Sequence, residues 1–237
     1  MSTTPANQAG ARFYRGAVPE LEARDGARIV VQPIAPPSVL GLFGFAAATF
    51  IVAAHLAGWY GTSRSPEYLF PFAAVFGGLA QFIAGMWAYR ARDALGTAMH
   101  GMWGSFWIAY GILFLLVAVG ALTVPATGKF PELGFWFLAL GAITLCGTLA
   151  AIGESFALVC VLGTLAAGSA FLAIHYLTGS GGWQTVAGWV LIASAILATY
   201  TATAMTLESS WGRAVLPLGK RARRTTTLER PVTEPVT

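Results

Sequence analysis

Six stretches of about twenty apolar residues, each almost free of charge, leave this chain few ways to fold. Inside hydrocarbon every backbone N–H and C=O must be satisfied within the segment, and a helix of about 20 residues does this while crossing roughly 30 Å. The stretches run from Val39 to Tyr60, Tyr68 to Tyr89, Leu95 to Val124, Leu133 to Ile152, Ser155 to Leu177 and Gln184 to Leu207. Only 10% of the 237 residues are charged against 56% hydrophobic, too few to clothe a water-facing surface. The expected fold is an all-α membrane protein, a six-transmembrane-helix bundle, and the soluble globular classes are excluded.

Short breaks join the stretches, among them Arg90-Ala91-Arg92-Asp93, Gly153-Glu154-Ser155 and Thr178-Gly179-Ser180-Gly181-Gly182, so each helix runs antiparallel to the last. Six crossings return both termini to one side. Twelve Lys and Arg fall on that side and only Arg64 and Lys129 on the other, which makes both termini cytoplasmic in a multi-pass protein of the cell membrane. The organisation expected is a tail at 1–35, polar, mixed in charge and unlike a signal peptide, a transmembrane domain at 36–210, and a basic tail at 211–237. The net charge of +4 sits on the tails, so anionic lipid headgroups rather than nucleic acid are the expected neighbours.

Charge is absent from the middle third of every span, which excludes a pump built on a midplane carboxylate. Uncharged hydrogen-bonding groups remain there: Gln81, Ser105, Thr144, Thr148, Thr164, Ser194, Thr199 and Tyr200. Hydroxyls can bond the preceding helical turn. An amide has two donors and two acceptor sites to satisfy, so Gln81 is expected to face a partner or a wet cavity. His55, His100 and His175 lie at different depths and are not spaced as haem ligands, and no nucleophile, phosphate loop or metal cluster can be assembled. No cofactor and no enzymatic activity are expected. Cys146 and Cys160 read as buried packing residues. Small residues at close spacing, Gly44 with Ala48, Gly77 and Gly78 with Gly85, Gly101 with Gly104 and Gly163 with Ala167, read as helix–helix contacts.

Four blocks then stand out. Leu40-Gly41-Leu42-Phe43-Gly44-Phe45, followed by His55-Leu56-Ala57-Gly58-Trp59, resembles the first helix of the acetate uptake transporter family, which includes bacterial succinate-acetate permeases and fungal relatives linked to acetate uptake and ammonia export. Phe76-Gly77-Gly78-Leu79-Ala80-Gln81-Phe82-Ile83-Ala84-Gly85, Gly104-Ser105-Phe106-Trp107 and Trp211-Gly212-Arg213-Ala214-Val215-Leu216-Pro217 agree with the family in the same order. The resemblance implies a homo-hexamer of six-helix protomers, each passing acetate, succinate or a similar small carboxylate, with protons a candidate co-substrate. It also implies a hydrophobic constriction, which falls at Phe45, Trp103 and Leu165. Helix rise puts these about 9, 12 and 15 Å into the membrane from their helix starts, a shared depth. Gln81, Ser105 and Thr164 are the candidate polar groups of the pathway. The chain departs from the family pattern at Pro36-Pro37-Ser38-Val39, before the first helix, and in carrying Trp103 where Tyr is usual. Two other readings fit the residues: a transporter of the same architecture for ammonia or another small solute, and a non-transporting scaffold or sensor whose tail Lys220-Arg221-Ala222-Arg223-Arg224 binds lipid or a partner.

Overall fold

The computed structural model describes residues 34–125 and 128–220; the N-terminal tail and the basic run after Lys220 lie outside the described residues. Six helices carry the described residues: α1 (Ser38–Leu56), α2 (Ser65–Ala91), α3 (Ala94–Ala118), α4 (Pro131–Ala151), α5 (Phe156–Thr178) and α6 (Gly181–Trp211), all long and apolar enough to cross a membrane. Each packs on its chain neighbours, and α6 returns against α1, so the helices close into a ring whose thinnest seam is α3 with α4. One face holds the start of α1 and the end of α6 and is called here the tail face; the loops after α1, α3 and α5 lie on the far face.

The ends follow from local chemistry. Gly58, Gly120, Gly179 and Gly212 adopt φ of 78°, 76°, 79° and 66° and stop α1, α3, α5 and α6. This is why α3 ends at Ala118 rather than running on to Val124: the chain turns at Gly120 although Leu122 and Val124 remain apolar. Asp93 caps α3, its Oδ1 accepting from Gly96 N at 2.7 Å, and Ser155 caps α5 through Leu158 N at 3.3 Å. The remaining N–H groups at the start of α5 are met by the chain after α6, where Gly219 O and Leu218 O accept from Phe156 N and Ala157 N, both at 3.1 Å. Tyr200 pins the same segment by donating to Pro217 O at 2.8 Å.

Helix α2 is irregular. Pro71 removes one ladder donor, and two residues later Ala73–Ala80 winds as a π-helix before α-geometry resumes at Gln81. The glycines of this stretch set its fit. A Cβ on Gly77 would stand 2.7 Å from both Ala48 Cβ and the Trp107 ring, one on Gly85 2.7 Å from Gly101 N, and one on Gly104 2.6 Å from Phe82 N. The small-residue stripes therefore join α1, α2 and α3 backbone to backbone. Gly163 is different: its nearest neighbour, Thr148 Cγ2, would lie at an ordinary 3.6 Å, so that pair is no close crossing. Cys146 also departs from expectation, since it is exposed on the outer surface of α4 with no packing role in the core.

Candidate functional site: a closed waist beneath an open cavity

Phe45 on α1, Trp103 on α3 and Leu165 on α5 are 2%, 3% and 2% exposed and belong to one buried cluster. They stand seven, nine and nine residues inside their helices, so their depths agree within about 3 Å. The Phe45 and Trp103 rings meet edge to face, 6.2 Å apart at 68°. Trp103 Nε1 donates across the α3–α4 seam to Thr144 Oγ1 at 3.0 Å, and Thr144 donates in turn to Leu140 O at 2.7 Å. The indole is thus held in place with its only donor satisfied.

Above this layer, toward the far face, the ring encloses a cavity of about 320 Å³. Thr49, Trp103 and Leu165 are its deepest residues on α1, α3 and α5, while Ser63, Pro125, Gly128 and Lys129 of the far-face loops stand at its rim. One wall is an aromatic stripe on α3, Trp103, Phe106, Trp107, Tyr110 and Phe114, whose rings contact one another along the helix. Phe137 of α4 and Tyr176 of α5 continue it, stacked 5.8 Å apart at 9°. His55 and His175 face the same space from the ends of α1 and α5. Each donates from Nδ1 to a loop carbonyl five residues on, Tyr60 O at 3.2 Å and Ser180 O at 2.9 Å. A carbonyl can only accept, so both rings carry their proton on Nδ1 and leave Nε2 for other contacts.

The residues singled out in the sequence divide. Trp103, Leu165 and His55 lie on the cavity, and Phe45 is one turn beneath Thr49. Gly41 and Gly44 are contact points: a Cβ on Gly41 would overlap the His100 ring, and one on Gly44 would overlap Phe76 O. Leu42 is 4% exposed and packs in the core, whereas Leu40 is exposed. Gln81 is 2% exposed with Oε1 unpartnered, but it is not on the cavity wall. Ser105 and Thr164 do not reach the cavity. Ser105 is on the outer surface and bonds Gly101 O at 2.8 Å, and Thr164 bonds Cys160 O at 2.7 Å, so both hydroxyls serve their own helices.

Sequence reasoning gave no place in the pathway to Thr49, Trp107, Tyr110, His175 or Tyr176. The available signal was spacing: Trp103, Trp107, Tyr110 and Phe114 recur at intervals of four, three and four, a single helix face. Thr49 likewise follows Phe45 by one turn.

The profile of the GPR1/FUN34/yaaH family matches residues 20–218. The chain belongs to that family. Among similar members, the succinate-acetate/proton symporter SatP of Escherichia coli strain K12 is 28% identical over 188 residues, 79% of this chain and 96% of that protein. Ammonia transport outward protein 2 of Saccharomyces cerevisiae is 27% identical over 176 residues, 73% of this chain and 62% of the relative. A solved structure of the bacterial acetate channel SatP superposes with a TM-score of 0.72 at 27% identity, covering 79% of this chain and all of the other. In this member of the GPR1/FUN34/yaaH family the matched region spans all six helices and reaches Leu218 in the segment folded back beneath α5.

Proposed function

We propose that the protein is a permease for small carboxylates such as acetate and succinate, passing them through each subunit across the layer of Phe45, Trp103 and Leu165. The observation that carries this reading is a cavity open to the far face that ends on a buried apolar layer about halfway along the helices. A carboxylate leaving water costs several kcal/mol unless donors replace its hydration, and a protonated acid costs far less. The layer blocks free ions by dewetting, while polar groups on either side hold the acid briefly. Gln81 Oε1 on α2 and His100 Nδ1, one turn beneath Trp103 on α3, are both buried and unpartnered and support such stations outside the cavity. The named activities of the symporter and channel relatives support acetate, succinate and protons as cargo. The basic side is the cytoplasmic one in this reading, the cavity opens outward, the subunits form a homo-hexamer, and no catalysis is involved.

The deciding experiment is uptake of labelled acetate by proteoliposomes, with and without an inward proton gradient. Saturable uptake above protein-free vesicles supports the permease, and a gradient-dependent rate assigns proton coupling. Absence of protein-dependent uptake rejects the reading. Ammonia is the second reading, favoured by the yeast relative, and methylammonium uptake that acetate does not compete with would select it.

A further inference from the structure

Behind the waist stands a hydroxyl that is not on the pathway. Thr144 of α4 is 0% exposed and absent from the cavity wall, yet it is bonded to Trp103, which is on that wall. Its proton goes to Leu140 O one turn back at 2.7 Å, so what Oγ1 offers to α3 is a lone pair. Trp103 Nε1 donates into it at 3.0 Å. Thr148, one turn along α4, gives the contrast: it donates to Thr144 O at 2.9 Å, the ordinary use of a hydroxyl within its own helix.

The bond crosses the thinnest seam of the ring, and among the described residues it is the one side-chain hydrogen bond between α3 and α4. Apolar contact flanks it on both sides. Met99 Sδ occupies the space that a Cβ on Gly147 would need, and Phe106 meets Phe137 edge to face at 5.2 Å. The indole itself leans edge to face on Phe45 across the waist and on Phe106 of its own helix. Such ring contacts survive some rotation, whereas a hydrogen bond weakens steeply as its angle closes below the linear range. Of the forces on Trp103, the bond to Thr144 is therefore the one that fixes direction. Released from it, the indole borders a cavity of about 320 Å³ into which it could turn. We infer that Thr144 is a positioning residue that sets the aperture of the waist, and with it the size of acid admitted, by holding the orientation of Trp103. The inference rests on the permease reading, since Thr144 acts on cargo only through the indole.

Two measurements on the full-length protein test it together. Proteoliposomes report the ratio of labelled butyrate uptake to labelled acetate uptake, and nanodiscs report the Trp103 indole ¹⁵N–¹H resonance, identified by its loss in Trp103→Phe. Thr144→Val keeps the shape and removes the acceptor. It should shift the Trp103 resonance and raise the butyrate-to-acetate ratio about threefold to tenfold, and Thr144→Ser, which keeps the hydroxyl, should return both toward the parent. Thr144→Ala gives the same reading where the valine disturbs assembly. In protein that already carries Trp103→Phe, Thr144→Val should leave the ratio where Trp103→Phe alone sets it, because no indole donor remains to be held. An unmoved resonance, an unmoved ratio with only the melting temperature lowered, or a ratio that moves equally in the Trp103→Phe background overturns the inference and returns Thr144 to packing. Parent protein that takes up neither acid rejects the permease reading and this inference with it, whereas an active parent matched by Thr144→Val rejects the role of Thr144 alone.

Discussion

Two tryptophans four residues apart on α3 do opposite things. Trp103 is tied to Thr144 and locked into the waist, whereas Trp107 is held by packing alone and keeps a free donor. The difference comes from α4, which brings a threonine within 3.0 Å of one indole and none to the other. The waist itself is apolar contact, so its hold on traffic should yield to truncation. Phe45→Ala or Leu165→Ala should lower the barrier by about 1 kcal/mol, a roughly fivefold rise in labelled acetate uptake or a comparable gain for bulkier acids. Parent-like rates and selectivity in both variants would remove these side chains from the path.

Among the elements, α2 decides how close α1 and α3 can stand. Its π-helical turn after Pro71 and its glycines let backbones meet where a side chain would hold them apart, and in lipid that contact replaces the hydrophobic drive. Gly85 and Gly101 test this as a pair. Gly85→Leu must push against the Gly101 backbone, which cannot swing aside as a side chain can, and should cost about 1–3 kcal/mol in unfolding measured in detergent. Gly101→Ala meets nothing within 4 Å and should leave stability unchanged or raised by up to about 1 kcal/mol. Equal effects of the two would refute the close crossing. The glycine spacing was legible in the sequence at Gly77, Gly85 and Gly104. At Gly163 the same pattern misled, because a spacing says which residues share a face and not which face has a neighbour.

In the whole molecule the polar features are sorted by height. The far-face mouth carries Lys129 with His55 and His175, the cavity floor Thr49 and Trp107, and the waist no polar contact except the satisfied Trp103–Thr144 pair. Among the described residues Lys129 is the only charged one on the cavity wall, so it biases the mouth toward anions. Lys129→Glu should slow acetate uptake about two- to fivefold at low ionic strength, and about 0.3 M salt should largely erase the difference. A salt-independent loss would point instead to damage in the α3–α4 loop.

The sequence by itself determined the six helices, their alternation and the depth of Phe45, Trp103 and Leu165, because hydrocarbon thickness and helix rise allow one solution for apolar runs of that length. Several helix ends moved: α1 and α3 stop early at the left-handed Gly58 and Gly120, α2 and α6 begin three residues ahead of their apolar runs, and α6 continues to Trp211 before Gly212 ends it. Which polar groups face inward was left to the tertiary structure. Ser105 and Thr164 turned to their own helices, Gln81 lost its place on the cavity wall, and Thr49 and Trp107 gained theirs. Apart from the aromatic spacing on α3, a span hydrophobic on every side carries no mark of its inner face, so the packing of neighbouring helices assigns it.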